Sequence, residues 1–326
     1  MASTFAHDID FYTYAITSPF GFLGQICSLI TFSSKSLRIT STGFLFIVLT
    51  LSDASYLLIS IYDFLEDLDL PMLTSEHICR LVTFIQNFST VASAWFLVLI
   101  AMDRLVRVRF PFRQARLCTR KVAAYMTTLV CICATLFTHH VLGPEFGFSN
   151  RRRNRCGLPR SPVTTYSNFY FNIWPILQLL FTYVLPGILM ILCLIGVYYK
   201  IRRRRTIFVA SVRRERQQRQ MLVLMISSVS WFLICTLPYG TFRMVTQRIE
   251  STPSIRLISD ILQIFRNMNY CFNFYIYCLT SHLFRKAFVQ QIQQFTMCCK
   301  KQLGYNDATI HPLPTILKPR VLTTTM

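Results

Sequence analysis

Asp53 lies midway along an apolar run, residues 41–65, that is long enough to cross a bilayer. A carboxylate at mid-span costs about 2.5–3.5 kcal/mol on insertion scales, so it must face a partner or a wet cavity. The chain offers oxygens for it. Ser93 is one, and Asn269 and Asn273, four residues apart, share one face of a helix. A hard cation favours such an oxygen cluster; a protonated Asp53 in a hydrogen-bonded network is the alternative. A second set of residues is defined by spacing. Twenty-five residue steps separate Cys79 from Arg104 of the pair Asp103-Arg104. A helix covers that in about 38 Å, more than a hydrocarbon core of about 30 Å. One helix can therefore hold a cysteine on one side of a membrane and an acid–base pair on the other. No catalytic set accompanies them. His139 and His140 are adjacent and point apart on a helix, and no second buried acid or nucleophile is evident near Asp53.

The elements that must position these residues are apolar helices. The 326 residues are 53% hydrophobic, with a mean hydropathy of +0.42, too apolar for an ordinary soluble domain. Seven stretches can span a bilayer, roughly 12–33, 41–65, 80–103, 121–142, 170–199, 220–245 and 257–280. The first is interrupted by Pro19, Gly21 and Gly24, and the seventh is the most polar. This predicts an all-α seven-transmembrane helix bundle over 12–280, with a short N-terminus over 1–11. An amphipathic eighth helix and tail follow over 281–326. No internal repeat is evident, which counts against a transporter built from duplicated halves.

The net charge of +20 is a matter of topology. With the N-terminus outside, 24 of the 34 Lys and Arg fall on the inner side, and 10 of the 14 acidic residues fall on the outer side. This positive-inside pattern predicts an outside N-terminus and an inside C-terminus, and disfavours nucleic acid as a partner. The first ten residues hold Asp8 and Asp10 and no Lys or Arg, so no cleavable signal peptide is expected. The triplet Asn87-Phe88-Ser89 lies inside a span, where glycosylation would not reach it.

Further motifs give these spans a family character. The segment Ser34 to Asp53 reads SKSLRITSTGFLFIVLTLSD. The fifth span contains YVLPG with Pro186. The sixth reads WFLICTLPYG, with Phe232 six residues before Pro238. The seventh ends NFYIYCLTSHLFRKAF, with Asn273 and Tyr277 four apart. Together with the Cys79-to-Arg104 helix, the chain resembles the rhodopsin-like (class A) G-protein-coupled receptors, among them the invertebrate neuropeptide, FMRFamide-type, receptors. The resemblance covers about 13–299. It implies a Cys79–Cys156 disulfide outside and a sodium ion, a negative allosteric modulator, held by Asp53, Ser93, Asn269 and Asn273. It implies coupling to a heterotrimeric G protein through Asp103, Arg104 and Tyr277, with Arg104 paired to Asp103 when inactive. Pro186, Phe232 and Pro238 become the activation hinge. Arrestin, membrane lipids and a plasma-membrane location follow from the same likeness. Cys298 and Cys299 follow a short amphipathic stretch, His282 to Phe295, which makes them palmitoylation candidates, with two plain cytosolic thiols as the alternative. Several positions depart from the pattern: Leu105 replaces a tyrosine, Thr236 a tryptophan and Phe274 a proline, and the fourth span lacks its tryptophan. The missing proline restores a backbone donor and is expected to weaken the local kink.

The residues also narrow the ligand. Amine receptors place an aspartate where Gln86 stands, and retinal needs a lysine where Asn267 stands. Gln86, Thr90 and Ser93 share a helical face, with Asn87 beside it. The outer mouth carries both signs of charge: Asp63 and Glu66, Arg151, Arg152, Arg153 and Arg155, then Arg243 and Arg266. Such a mouth suits an extracellular charged peptide. Asp63 and Glu66 would take a cation, and Arg243 or Arg266 a carboxylate; an internal Asp63–Arg266 pair is the alternative. A lipid- or other small-molecule receptor of the same fold, or a seven-span transporter, remains a rival reading.

Overall fold

A computed structural model describes residues 2–34, 38–67, 75–150, 155–158, 164–205, 212–246 and 252–302. The apolar stretches form helices: α1 (Ala2–Phe32), α2 (Ser41–Asp67), α3 (Glu76–Arg109) and α4 (Arg120–Thr138). The fifth, α5, is segmented into Thr165–Asn172, Trp174–Gln178, a π-helical Leu179–Val184 and Leu185–Arg205. Then come α6 (Val212–Thr246), α7 in two pieces (Pro253–Cys271 and Asn273–Thr280), and α8 (His282–Gln302). By length and composition alone, five of the described stretches can cross a membrane, in α1, α2, α4, α5 and α6. α3 and α7 are long enough but carry inward-facing polar side chains, among them Thr90, Ser93, Arg266 and Asn269, all buried. The one departure from an all-α chain among the described residues is a small hairpin, β1 (Gly147–Asn150) with β2 (Arg155–Gly157).

Helix starts are set by local chemistry. Thr119, Thr164 and Thr252 each accept from a backbone N–H of the following turn; Thr164 forms a full capping box with Ser167. Pro253 follows Thr252 at the first turn, where its missing N–H costs nothing. α1 runs unbroken through Pro19 and the glycines, and begins at Ala2, so it extends through the segment expected to precede it. Gly21 is there for contact: a Cβ would sit 2.8 Å from Leu57 and 2.9 Å from the Cys271 sulfur. Gly240 does the same for α6, where a Cβ would lie 2.5 Å from the Tyr183 ring.

α3 is the central element, packed on α2, α4 and the Leu185–Arg205 segment. Its inward residues Val91, Ala94, Phe96, Val98 and Ile100 are buried in the main apolar core. Pro186 is buried and has no N–H to complete an α-turn. The π-helical segment lies just before it, a rare form that occurs mostly as a single-turn insertion within an α-helix. The carbonyl of Phe181, in that segment, accepts from Trp95 Nε1 of α3 at 3.1 Å. At the outer end of the bundle, defined as that of Cys79, α4 closes in a 3-10 turn, His139–Leu142. There Trp174 of α5 packs on Phe137 at 4.8 Å and on His140 at 4.2 Å, filling space beside a fourth helix that lacks a tryptophan of its own.

The interruption of α7 departs from the sequence-based expectation. Without a proline at 274 the helix is still broken, at Phe272 (φ −97°, ψ 0°). Tertiary contacts hold the break. Asn273 is drawn to Asp53, and the Phe274 ring is buried against Phe284 and Phe288 of α8, at 5.8 and 5.1 Å. Arg285 of α8 donates to the carbonyls of Cys278 and Leu279 at 2.7 and 3.2 Å, satisfying the end of α7.

Replacing Trp95 by Phe removes the bond to the π-helical segment and keeps the ring. Interhelical hydrogen bonds in lipid average about 0.6 kcal/mol, so the thermal midpoint of the purified protein should fall by about 1–2 °C. An unchanged midpoint would mean that the indole does not support the segment.

Candidate functional site

The polar interior has three levels along α3. At mid-depth, Asp53 is buried, at 1% exposure. Its Oδ1 accepts from Ser93 Oγ at 2.5 Å and its Oδ2 from Asn273 Nδ2 at 2.8 Å. One carboxylate thus joins α2, α3 and α7. Asn269 is buried one turn outward from Asn273, but no hydrogen bond links it to Asp53 among the described residues. Nearby, Ser52 Oγ donates to the Ser89 carbonyl at 3.1 Å, and the buried Ser89 Oγ has no partner. The cluster therefore keeps oxygen lone pairs on Ser89, Ser93 and the asparagines, and these fit a hard cation beside Asp53. Among the described residues no group of three His, Cys, Asp or Glu could hold a metal.

At the inner end the expected pairing of Asp103 with Arg104 is replaced by another. Asp103 accepts from Ser41 Oγ and Thr42 Oγ1, both at 2.6 Å, and from Arg107 Nε at 2.9 Å. Arg107 Nη2 also donates to Ser41 Oγ at 2.7 Å. The reason is helical geometry. Arg107 is four residues on and lies on the face of Asp103; Arg104 is one residue on, about 100° round the helix. No described carboxylate lies within ion-pairing distance of Arg104. Cys118, in the connection to α4, packs its sulfur 3.7 Å from the Asp103 carbonyl; burial and the nearby Asp103 push its thiol up to about 11, away from thiolate chemistry. Tyr277 is buried against Phe46 and Phe284, at 5.3 and 5.7 Å. Phe232 is buried in the core and Pro238 lies within α6, which continues as helix across it.

At the outer level, Cys79 is disulfide-bonded. The hairpin lies over this end of α3: Gly147 pairs with Gly157, next to Cys156, and its carbonyl is 3.5 Å from Cys79 Sγ. The side chain of Cys156 lies outside the described residues, so the Cys79–Cys156 pairing stays an expectation. Arg80 fastens the same loop. It donates to the carbonyls of Phe146 at 2.6 Å and Pro144 at 3.0 Å, and pairs with Glu76 at 3.1 Å.

Below the hairpin lie the described members of the expected pocket, on α3, α6 and α7. Asn87 Oδ1 accepts from Gln178 of α5 at 3.0 Å, and Thr90 Oγ1 donates to the Gln86 carbonyl at 2.8 Å. Asn267 accepts from Tyr56 at 2.7 Å. Arg266 is 4% exposed. Its guanidinium lies over the rings of Tyr239 and Tyr56, at 4.1 and 5.5 Å. Arg243 Nη1 reaches the Tyr239 hydroxyl at 3.1 Å. A crevice lined by Gln178, Leu179, Tyr183, Tyr239 and Arg243 opens between α5 and α6 and is too narrow for a water molecule. The side chains of Asp63, Glu66, Arg151 to Arg153, Arg155, Cys298 and Cys299 lie outside the described residues.

Sequence reasoning missed Arg107, Arg80, Tyr56 and Tyr239. The i, i+4 spacing of Asp103 and Arg107 was a usable signal for the first. The tyrosines are three residues from Asp53 and one from Pro238, and nothing in their local sequence marks them as partners of a distant arginine.

The chain is 25% identical over 274 residues to mouse somatostatin receptor type 2, covering 79% of this chain and 71% of that protein. It is 27% identical to the tachykinin-like peptides receptor 99D of Drosophila melanogaster, covering 79% of this chain and 52% of that one. It is 23% identical to the RYamide receptor of Tribolium castaneum, covering 71% and 65%. Residues 25–277 match the family described as 7 transmembrane receptor (rhodopsin family). That match runs from α1 to Tyr277 and takes in all three polar levels, so this chain is a multi-pass membrane protein of the rhodopsin family of seven-transmembrane receptors, a family of receptors and not of enzymes.

Proposed function

We propose that this receptor binds an extracellular peptide at its outer end and activates a heterotrimeric G protein at its inner end. It would sit in the plasma membrane with the N-terminus outside. The observation that carries the ligand class is the pair of cations, Arg243 and Arg266, gathered on Tyr239 inside the bundle. A deep pocket for an uncharged lipid has no use for them. Relatives named as receptors for somatostatin, tachykinin-like peptides and RYamide support the same reading. Coupling rests on Arg104, which stands free of Asp103 beside a basic inner loop. The signal is a population shift in which ligand and G protein favour the same open state. Arrestin would dock on the same inner surface, and lipidated Cys298 and Cys299 would hold α8 to the membrane. A sodium ion beside Asp53, with Ser93, Asn269 and Asn273 as oxygen donors, would favour the closed state.

The direct test is a neuropeptide library applied to cells expressing the full chain, read as calcium and cyclic nucleotide. Peptide responses are expected; responses only to lipids or amines would overturn the ligand class. Asp63→Asn and Glu66→Gln should weaken a cationic peptide, and unchanged potency removes the acidic half of the mouth from the site.

Two further outcomes follow from the inner levels. Arg107→Ala removes the cation that occupies Asp103, so Arg104 becomes its nearest partner and basal coupling should fall. About 1 kcal/mol of new pairing corresponds to about 5-fold. G-protein dissociation sensors in unstimulated cells read this, and a rise would contradict it. Exchanging sodium chloride for choline chloride should lower the thermal midpoint of the purified receptor. Asp53→Asn should make the midpoint indifferent to that exchange; equal shifts in both proteins would exclude a sodium site here.

A further inference from the structure

We infer that the deep part of this pocket is an anion receptor that selects a carboxylate at the tip of the ligand, a free acid rather than an amide. The inference rests on the receptor reading above and goes on to name the chemical group that the site takes.

Arg266 is almost wholly buried, yet no described carboxylate pairs with it: its guanidinium lies over the rings of Tyr239 at 4.1 Å and Tyr56 at 5.5 Å. Its Nε is buried without an acceptor. The hydroxyl of Tyr183, 2% exposed, lies beside this guanidinium. Arg243 reaches the hydroxyl of the same Tyr239 whose ring lies under Arg266. Two like charges thus converge on one tyrosine, surrounded by donors. Asp53 cannot serve them, because Ser93 and Asn273 hold it deeper in the bundle. Buried charges are ordinarily paired, and a cation over an aromatic face keeps most of its N–H donors free. The group that completes such a site is planar, negatively charged and rich in acceptors. A carboxylate meets a guanidinium fork through two parallel bonds, and a terminal amide cannot supply the charge.

Depth restricts how the anion arrives. Arg266 lies thirteen residues from Pro253 at the outer end of α7, about 20 Å at about 1.5 Å per residue. A slim chain end reaches that far more readily than a side chain in mid-peptide. The small Thr236 stands one turn below Tyr239 and is fully buried. An anion that draws Arg266 and Arg243 off Tyr239 therefore acts directly on α6.

A free carboxylate can come from a peptide C-terminus or from a fatty acid, and the experiment separates them. The full-length receptor in nanodiscs is titrated with N-acetyl-L-phenylalanine and with N-acetyl-L-phenylalaninamide, reading the thermal midpoint. The acid should raise it and the amide should not, and Arg266→Gln should abolish the difference. Arg243→Gln serves the same purpose if Arg266→Gln does not fold. Equal shifts from acid and amide overturn the proposal. In cells, a peptide panel made in matched acid and amide forms is run beside fatty acids and their methyl esters. Acid forms should be favoured by at least about 30-fold, the least expected for losing one partner of a buried charge pair. Active fatty acids with silent peptides would sustain the carboxylate site and refute the peptide reading. Potent amides would refute the carboxylate site and leave the peptide reading standing. A gain of acid over amide seen only in Asp63→Asn would identify Asp63 as the internal counter-ion and also refute the proposal.

Discussion

Everything polar in this bundle is arranged around one buried carboxylate. Asp53 is buried, and its two oxygens accept from Ser93 and Asn273 on two other helices. A mid-span charge is tolerated only when partnered, so these bonds fix the relative heights of α2, α3 and α7. Two further ties repeat the constraint nearby, Ser52 to the Ser89 carbonyl and Tyr56 to Asn267. Once α3 is set at Ser93, the rest of its 34 residues follow. Cys79 falls under the hairpin at one end and Asp103 meets Ser41 and Thr42 at the other.

The same anchoring explains why helix breaks survive changes in sequence. α7 remains interrupted at Phe272 although no proline follows, because Asn273 is pulled inward and Phe274 is pulled toward α8. In α5 a proline is present, and Trp95 supplies a donor to a carbonyl of the π-helical segment before it. Local backbone chemistry proposes a bend, and tertiary contacts decide whether it is kept. A missing proline is therefore weak evidence about shape.

How much could be read in advance depended on the range of the interaction. The helices and the outer and inner ends of α3 were legible, because hydropathy and spacing act within a segment. So were two contacts of Asp53, with Ser93 and Asn273, since a mid-span carboxylate narrows its partners to a few polar groups at matching depth; Asn269 makes no such bond among the described residues. Asp103 was misassigned: likeness suggested Arg104, while the i, i+4 rule favoured Arg107, and the local rule prevailed. Tyr56 and Tyr239 were invisible because they come from helices far apart in sequence and make no local pattern. Their arginine-holding role exists only once α2, α6 and α7 are packed.

The two ends of the bundle share an electrostatic state. At the inner end, Asp103 is saturated by two hydroxyls and Arg107, which leaves Arg104 without a carboxylate among the described residues. At the outer end, Arg266 and Arg243 are held by tyrosines, which solvate a cation without neutralising it. Between them the single mid-depth acid is committed to neutral donors. Asp103 and Asp53 are both spent on contacts that fasten helices together, and Arg104, Arg243 and Arg266 are left without a carboxylate among the described residues. An interior organised this way holds its helices with its acids and meets its surroundings with its arginines. Either end can then be biased by a partner that brings acceptors, without breaking the carboxylate bonds that keep the helices in register.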